Sequence, residues 1–234
     1  MTGLSNGKVA IIDLGSGIEW TVLIGLGISL VGRFGRVQCR TMQRRMYPMK
    51  ACIISDGEYQ TETFQNLNRT IAGYFAEKGF ETVKMQVEIG DLAFCKGCFN
   101  CWVKKPGECV IGDDISRINR TAMNSDVVLL LCPVVFGQFS ANMKSVVDRW
   151  LPNMLPFFKT RPDGSTMHPP RYDDYPKQIM IGFADDLSAE DMVLFSDITK
   201  KHRTNVDVLF WMDSESDTRR ELDAIRLERA GGQL

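Results

Sequence analysis

Four thiols fall within the fifteen residues Cys95-Lys-Gly-Cys98-Phe-Asn-Cys101-Trp-Val-Lys-Lys-Pro-Gly-Glu-Cys109, in the spacing C-x2-C-x2-C-x7-C. Thiolates two residues apart in a turn can converge on one soft metal centre. Three at this pitch, with a fourth after a loop, resemble iron–sulfur ligation more than a zinc site, which more often pairs two C-x2-C units some distance apart. Zinc, or reduced thiols with no metal, are the other readings, since cysteine is also a good small core residue. Gly97 permits a tight backbone curl, and Lys96, Lys104 and Lys105 offset the negative charge of ligating thiolates. Disulfides are not expected. No secretory signal is read, and Cys39, Cys52 and Cys132 lie in different segments. The same reading makes the protein cytoplasmic. His168 and His202 are the two histidines, and neither belongs to a recognisable catalytic set.

The elements that must position these thiols follow from hydrophobic patterning. Ala51–Ser55 is a short apolar run closed by Asp56-Gly57, the pattern of a buried strand and a turn. Thr63–Lys78 carries Phe64, Leu67, Ile71, Tyr74 and Phe75 at helical spacing and ends at Gly79. Thr82–Ile89 alternates as a strand does. After the cysteines, Asp113-Asp114 can cap a helix to about Met123. Asp126–Pro133 is a continuous apolar run, typical of a central parallel strand. A helix over Ala141–Leu151, a strand over Gln178–Phe183, a helix over Ala189–His202, a strand over Val206–Met212 and a charged helix over Thr218–Ala230 complete the series. Strand–helix alternation over five strands predicts an α/β fold, a doubly wound parallel sheet with helices on both faces. Ligands in such a sheet sit beyond the carboxyl ends of the strands, which singles out the loops 55–63, 90–113, 133–141 and 184–188. The proline-rich stretch 152–176 is a long irregular excursion of the kind that serves a site or an interface.

The 234 residues carry 28 Lys+Arg against 29 Asp+Glu, which excludes a generally basic nucleic-acid binder and an acidic disordered chain. The charge is uneven. Residues 1–50 hold seven basic and two acidic residues, a net +5, which leaves −6 on the remainder. The apolar run Trp20–Gly32 spans about 13 residues, too short for the roughly 20 of a membrane-crossing helix. Its glycines do not fit a dinucleotide loop. Residues 1–48 therefore divide from a domain over 49–213 and a helical tail over 214–234. The readings for 1–48 are a strand at Lys8–Asp13 with a glycine turn and a docked apolar segment, a short membrane or partner anchor, or an extension outside the natural fold that would begin at Met49.

From about Met49 to Asp213 the chain resembles the flavodoxin-fold NAD(P)H-dependent FMN reductase superfamily, and within it the iron–sulfur flavoproteins of anaerobes. Cys95, Cys98, Cys101 and Cys109 match that group's compact four-cysteine motif after the second strand. Cys109-Val-Ile-Gly-Asp113-Asp114 resembles its C-x-I-x-D-D continuation. Cys132-Pro-Val-Val-Phe-Gly-Gln-Phe-Ser-Ala141 resembles its S-P-V-Y-F-G-x-x-S-A flavin loop, and Asn142-Met-Lys144-Ser-Val-Val-Asp148-Arg149 its x-x-K-x-x-x-D-R tail. The resemblance implies a flavodoxin-like sheet, bound FMN, a 4Fe-4S cluster on the four cysteines, NAD(P)H or a small redox protein as donor, and a homo-oligomer.

In that light Pro133 stiffens the strand exit, and Gly137 lets the backbone approach a flat ring. Phe136 can pack on the ring, while the amides of Val134, Val135, Phe136 and Gly137 can bond its polar rim. The plain alternative is a strand-to-helix turn with a core Phe, in which Ser140 is only a helix cap. The phosphate would lie at the start of the first helix, where free amides and the helix dipole favour an anion and Ser55, Gln60, Thr61 and Thr63 can donate hydrogen bonds. The sequence departs from the family here. The usual arginine is absent, and Asp56, Glu58 and Glu62 oppose a dianion unless they point away. Ala184-Asp185-Asp186 matches the family's fourth-loop glycines poorly. Three functions remain: an electron-transfer iron–sulfur flavoprotein, an NAD(P)H-dependent FMN or quinone reductase without a cluster, and a non-catalytic subunit of a larger redox complex held through residues 1–48. No nucleic-acid module and no membrane span are read.

Overall fold

The computed structural model describes residues 19–24, 28–33, 48–202 and 205–231. The chain forms two compact units, Met1–Met46 and Tyr47–Leu234. In the first, Glu19–Ile24 and Ile28–Arg33 pair antiparallel, with Glu19 opposite Arg33 and Ile24 opposite Ile28. The described part of the apolar run read from the sequence thus lies in a pair of antiparallel strands. The strand expected at Lys8–Asp13 lies outside the described residues.

The second unit is built on five parallel strands: β1 (Lys50–Asp56), β2 (Glu81–Val87), β3 (Val127–Val135), β4 (Lys177–Phe183) and β5 (Val206–Phe210). Their order is β2-β1-β3-β4-β5, the doubly wound flavodoxin-like topology. The order reverses between β1 and β3, so a crevice opens where the loops leaving these two strands diverge. The helices are α1 (Glu62–Glu77), α2 (Ile115–Met123), α3 (Ala141–Asp148), α4 (Ala189–His202) and α5 (Glu215–Ala224).

Strict alternation along the strands makes two cores. Ala51, Ile53, Val127, Leu129, Leu131, Ile179 and Ile181 face α1 and α5, where they meet Phe64, Leu67, Ile71, Phe75 and Leu222. Cys52, Ile54, Val128, Leu130, Cys132 and Met180 face the other way, toward Ile115, Ile118, Met143, Val146 and Phe195. Every residue of β3 but its last is buried, because helices cover both of its faces. That is why Val127–Pro133 reads as one apolar run rather than as an alternation.

Two helix ends differ from the expected ones, each for a local reason. The helix predicted to reach Leu151 stops at Asp148. Arg149 turns inward as its C-cap, and Pro152, which has no N–H to give, sits in the 3-10 turn Leu151–Asn153 that follows. The last helix begins earlier and ends sooner than Thr218–Ala230. Ser214 caps it by accepting from the Asp217 amide, and the chain becomes extended at Ile225. Arg229 then binds Asp174 and the carbonyls of Met123 and Ser125, fixing the chain beside Asp174–Tyr175. α5 is tied to α1 by Arg219 on Glu77, and by Tyr74 and Lys78 on Asp223.

Leu129 is fully buried in the middle of β3. Leu129→Ala is expected to destabilise the protein by about 2–5 kcal/mol, measured as a lower denaturation midpoint at unchanged slope.

Candidate functional site

The loops leaving β1 and β3 are tied together by one carboxylate. Asp56, the last residue of β1, is buried. Its Oδ2 accepts the Ser140 hydroxyl at 2.5 Å, and its Oδ1 accepts the Asn142 amide at 2.9 Å and the Glu58 N–H at 3.0 Å. Asn142 also donates to the Val87 carbonyl at the end of β2. One Asp–Asn pair therefore joins the carboxyl ends of three strands. Glu58 turns the same way, accepting the Ile89 N–H at 3.1 Å. Of the three acids that oppose a phosphate, two are engaged with protein donors, and Glu62 lies exposed in the first turn of α1.

The remaining phosphate-loop residues are local caps. Thr61 is the N-cap of α1 and accepts the Phe64 N–H at 3.3 Å, while Gln60 donates to the Gly57 carbonyl at 3.2 Å. Ser55 is buried at the end of β1, and Thr63 is half-buried in the first helical turn. The dipole of α1 puts positive potential at this end, where the amides of Glu62 and Thr63 precede the first intrahelical bond. This suits a phosphate held by amides and hydroxyls without a guanidinium.

On the facing side, Pro133 and Val134 are buried, and β3 ends in a two-residue hairpin in which Val135 pairs with Gln138 and Val134 with Phe139. Phe136 (φ 50°) and Gly137 (φ 68°) form its tip. Both central residues need a positive φ in this tight turn. A Cβ on Gly137 would lie 2.6 Å from the Leu194 side chain of α4. Phe136 is 91% exposed, so its ring stands off the hairpin as a free face and not as a core residue. Ser140 both caps α3 and donates to Asp56, so its hydroxyl serves the loop junction.

The four cysteines line one narrow pocket together with Phe99, Val110, Ile111, Arg149 and Leu151. Cys95 and Cys98 are exposed, Cys101 is buried and Cys109 lies between. Burial, and then the neighbouring Cys109, push the Cys101 thiol up. The free space is about 20 Å³, room for one water. Among the described residues no three His, Cys, Asp or Glu side chains stand within reach of a single metal position. The curl at Gly97 (φ 61°) is present, and Phe99 (φ 54°) starts the short helical turn Asn100–Val103 that carries Cys101.

Arg149 is the cation of this pocket. Its side chain is 1% exposed and pairs bidentately with Asp113, through Nη1–Oδ2 at 2.5 Å and Nη2–Oδ1 at 2.8 Å. The same guanidinium donates to the Ala93 carbonyl at 2.9 Å and to Cys109 Sγ at 3.1 Å. Burial would raise the Asp113 carboxyl, but Arg149 and the amides of Ala93 and Ile115 outweigh it and hold it below the usual carboxylate range. Of the pair Asp113-Asp114 expected to cap α2, one residue does so. Asp114 makes no capping bond, and Asp113 accepts the Ile115 N–H instead. Arg149 Nε is buried with no protein partner, a spare donor at the wall of a sulfur-lined pocket. Four cysteines around one pocket, beside a buried cation, are the donor chemistry of an anionic iron–sulfur group, although the thiols are not drawn onto a single metal position here.

The proline-rich excursion braces this loop. Trp102 donates its indole N–H to the carbonyls of Leu151 and Met154, each at 3.0 Å. Its ring stacks on Phe99 (5.3 Å, 11°) and meets His168 at 4.7 Å, which in turn meets Phe158 at 4.8 Å. His168 is thus part of an aromatic row with Trp102, the residue after Cys101. Asn142 carried no signal of its own in the sequence. Arg149 did carry one, as the last residue of the Asn142–Arg149 stretch that resembles the x-x-K-x-x-x-D-R tail.

Residues 63–160 match the NADPH-dependent FMN reductase family. That segment, 98 of the 234 residues, holds both the cysteine loop and the Pro133–Ser140 hairpin. The chain is 39% identical over 74 residues to an iron-sulfur flavoprotein of Archaeoglobus fulgidus (32% of this chain, 33% of that one). It is 35% identical over 91 residues to an iron-sulfur flavoprotein of Methanocaldococcus jannaschii (39% and 46%). The matched stretch thus spans a third to a half of these relatives. Among solved structures, an NAD(P)H:quinone oxidoreductase from Methanothermobacter marburgensis superimposes with a TM-score of 0.50 at 11% identity, over 77% of this chain and 94% of that one. A quinone reductase assigned in Klebsiella pneumoniae gives 0.50 at 15% identity, over 75% and 84%. At such identities the likeness is one of fold, and it agrees with the strand order.

Two outcomes follow from the thiols and their cation. In metal-free protein, iodoacetamide at pH 8 is expected to modify Cys95 and Cys98 readily and to spare Cys52, whose burial pushes its thiol up to about 12; peptide mass spectrometry reads the sites. Arg149→Met, which strands the Asp113 carboxylate, is expected to cost about 3–5 kcal/mol in urea unfolding.

Proposed function

We propose that the protein is an FMN-dependent oxidoreductase that takes electrons from NAD(P)H or a small redox protein and passes them on through an iron–sulfur cluster held by Cys95, Cys98, Cys101 and Cys109. The observation that carries this reading is that all four cysteines line one pocket beside the buried Arg149. Bound FMN supplies both one- and two-electron exchange, and a 4Fe-4S cluster supplies one-electron exchange. The chain's own part is position and electrostatics. The start of α1, with Ser55, Gln60, Thr61 and Thr63, receives the flavin phosphate, and the hairpin Pro133, Val134, Val135, Phe136 and Gly137 lies along the ring. Ser140 fixes that hairpin to Asp56.

α3 links the two sites. It starts at Ser140 in the hairpin and ends at Arg149 on Cys109, about 13 Å apart along its axis. No side chain at either site is needed as an acid or base. The division into residues 1–48, a flavin domain over 49–213 and a tail over 214–234 belongs to the same proposal, as does self-association, for which the exposed Phe157 and Phe158 offer apolar surface. Among the described residues no helix is long and apolar enough to cross a membrane.

Protein prepared without oxygen is expected to be yellow-brown, with one FMN and about four irons and four acid-labile sulfides per chain. It should bleach on addition of NADPH or NADH. FMN without iron would select the cluster-free reductase, and neither would leave the non-catalytic subunit. Cys101→Ser is expected to abolish iron binding while FMN is retained, read by metal analysis and flavin fluorescence.

A further inference from the structure

The four pocket thiols are not equivalent. Arg149 Nη2 donates to Cys109 Sγ at 3.1 Å, and among the described residues no charged donor reaches the sulfur of Cys95, Cys98 or Cys101. The bond to Cys109 is held from behind. Nη1 is taken by Asp113 and the Ala93 carbonyl, while Nη2 is shared between Asp113 and Cys109. The fork therefore cannot swing away from the sulfur without giving up its carboxylate. Lys96 lines the same pocket but is exposed, where water and salt screen its charge. Arg149 is buried, so its charge acts in a low dielectric, and a guanidinium keeps that charge at every working pH. Cys109 lines the pocket as well, so one sulfur is common to the guanidinium and to the free space.

An N–H donor on a ligating sulfur draws electron density away from the iron. A nearby positive charge favours the more negative, reduced form. Both raise a reduction potential. Asp113 works against the second effect, because its carboxylate offsets the charge of Arg149, and it leaves the bond to sulfur in place. We infer that Arg149 sets the reduction potential of the iron–sulfur group through its N–H bond to Cys109, with Asp113 as the counterweight that limits the rise. The inference rests on the cluster reading above and adds to it which residue decides how readily the cluster takes an electron. Arg149 acts through Cys109 and is in that sense a positioning residue.

The test uses the full chain purified without oxygen, with the potential read from the paramagnetic resonance of the reduced cluster during a redox titration. Asp113→Asn leaves Arg149 uncompensated and is expected to shift the equilibrium toward the reduced cluster by about tenfold, or 59 mV for one electron. The double variant Arg149→Met with Asp113→Asn keeps the net charge of the pair and removes the bond to sulfur. It is expected to shift about tenfold the other way, below the wild type. A purely structural pair would not move the potential in opposite directions. Thermal melts and iron analysis accompany each variant. Wild-type protein labelled with nitrogen-15 in its arginine guanidinium groups gives a second measurement that needs no substitution. Its reduced cluster is expected to show a nitrogen coupling in pulsed resonance, and Arg149 is the arginine that lines the pocket. An iron-loaded double variant with the wild-type potential, or a labelled wild type without the coupling, would overturn the inference and leave the cluster reading intact. Wild-type protein that holds no iron would overturn the cluster reading and this inference with it.

Discussion

The architecture around the cysteines depends on one buried guanidinium. Arg149 closes α3, satisfies Asp113, takes the carbonyl of Ala93 and points a nitrogen at Cys109. Each contact reaches a different stretch of chain: the start of the cysteine segment, its end and the entrance of α2. A charge this deep is costly unless every neighbour is arranged for it, so the loop has little freedom to settle elsewhere. The conformation of the thiol-bearing segment is in this sense dictated by a residue forty positions later in the sequence.

A second node does for the sheet edge what Arg149 does for the thiols. Asp56 and Asn142 hold the exits of β1, β2 and β3 at the point where the strand order reverses. The hairpin of Phe136 and Gly137 stands above that node, and the start of α1 lies beside it. α3 spans between the two nodes. A displacement at one end of this short, rigid helix is felt at the other, since a packed helix moves as a unit.

Much of this was legible in the residues. The unbroken apolar run of β3, the alternation in β2 and the helical spacing in α1 gave the doubly wound sheet, because burial on both faces, on one face and along one stripe leaves three different patterns. The cysteine spacing likewise pointed to one pocket. What could not be read were partnerships across distance. Asp56 looked like an obstacle to an anion because its acidity was visible and its bond to Ser140, 84 positions away, was not. Asp113 read only as a helix cap, which it partly is, because capping is local and the ion pair with Arg149 is not. Phe136 read as a ring-packing residue or a core Phe, and the two positive φ angles that place it at a hairpin tip depend on pairing that only the folded sheet defines.

The engagement of Asp56 bears on how the neighbouring loop meets any anion. Flexible anion-binding loops often become ordered only around their guest, and part of the attraction is spent on that ordering. Here the turn after β1 is already held by Asp56, Glu58, Gln60 and Thr61 through protein–protein bonds. Its shape is set during folding, so occupancy adds little rigidity. A guest that gains from amides and hydroxyls alone, with no fixed cation to grip it, is one that can leave as readily as it arrives.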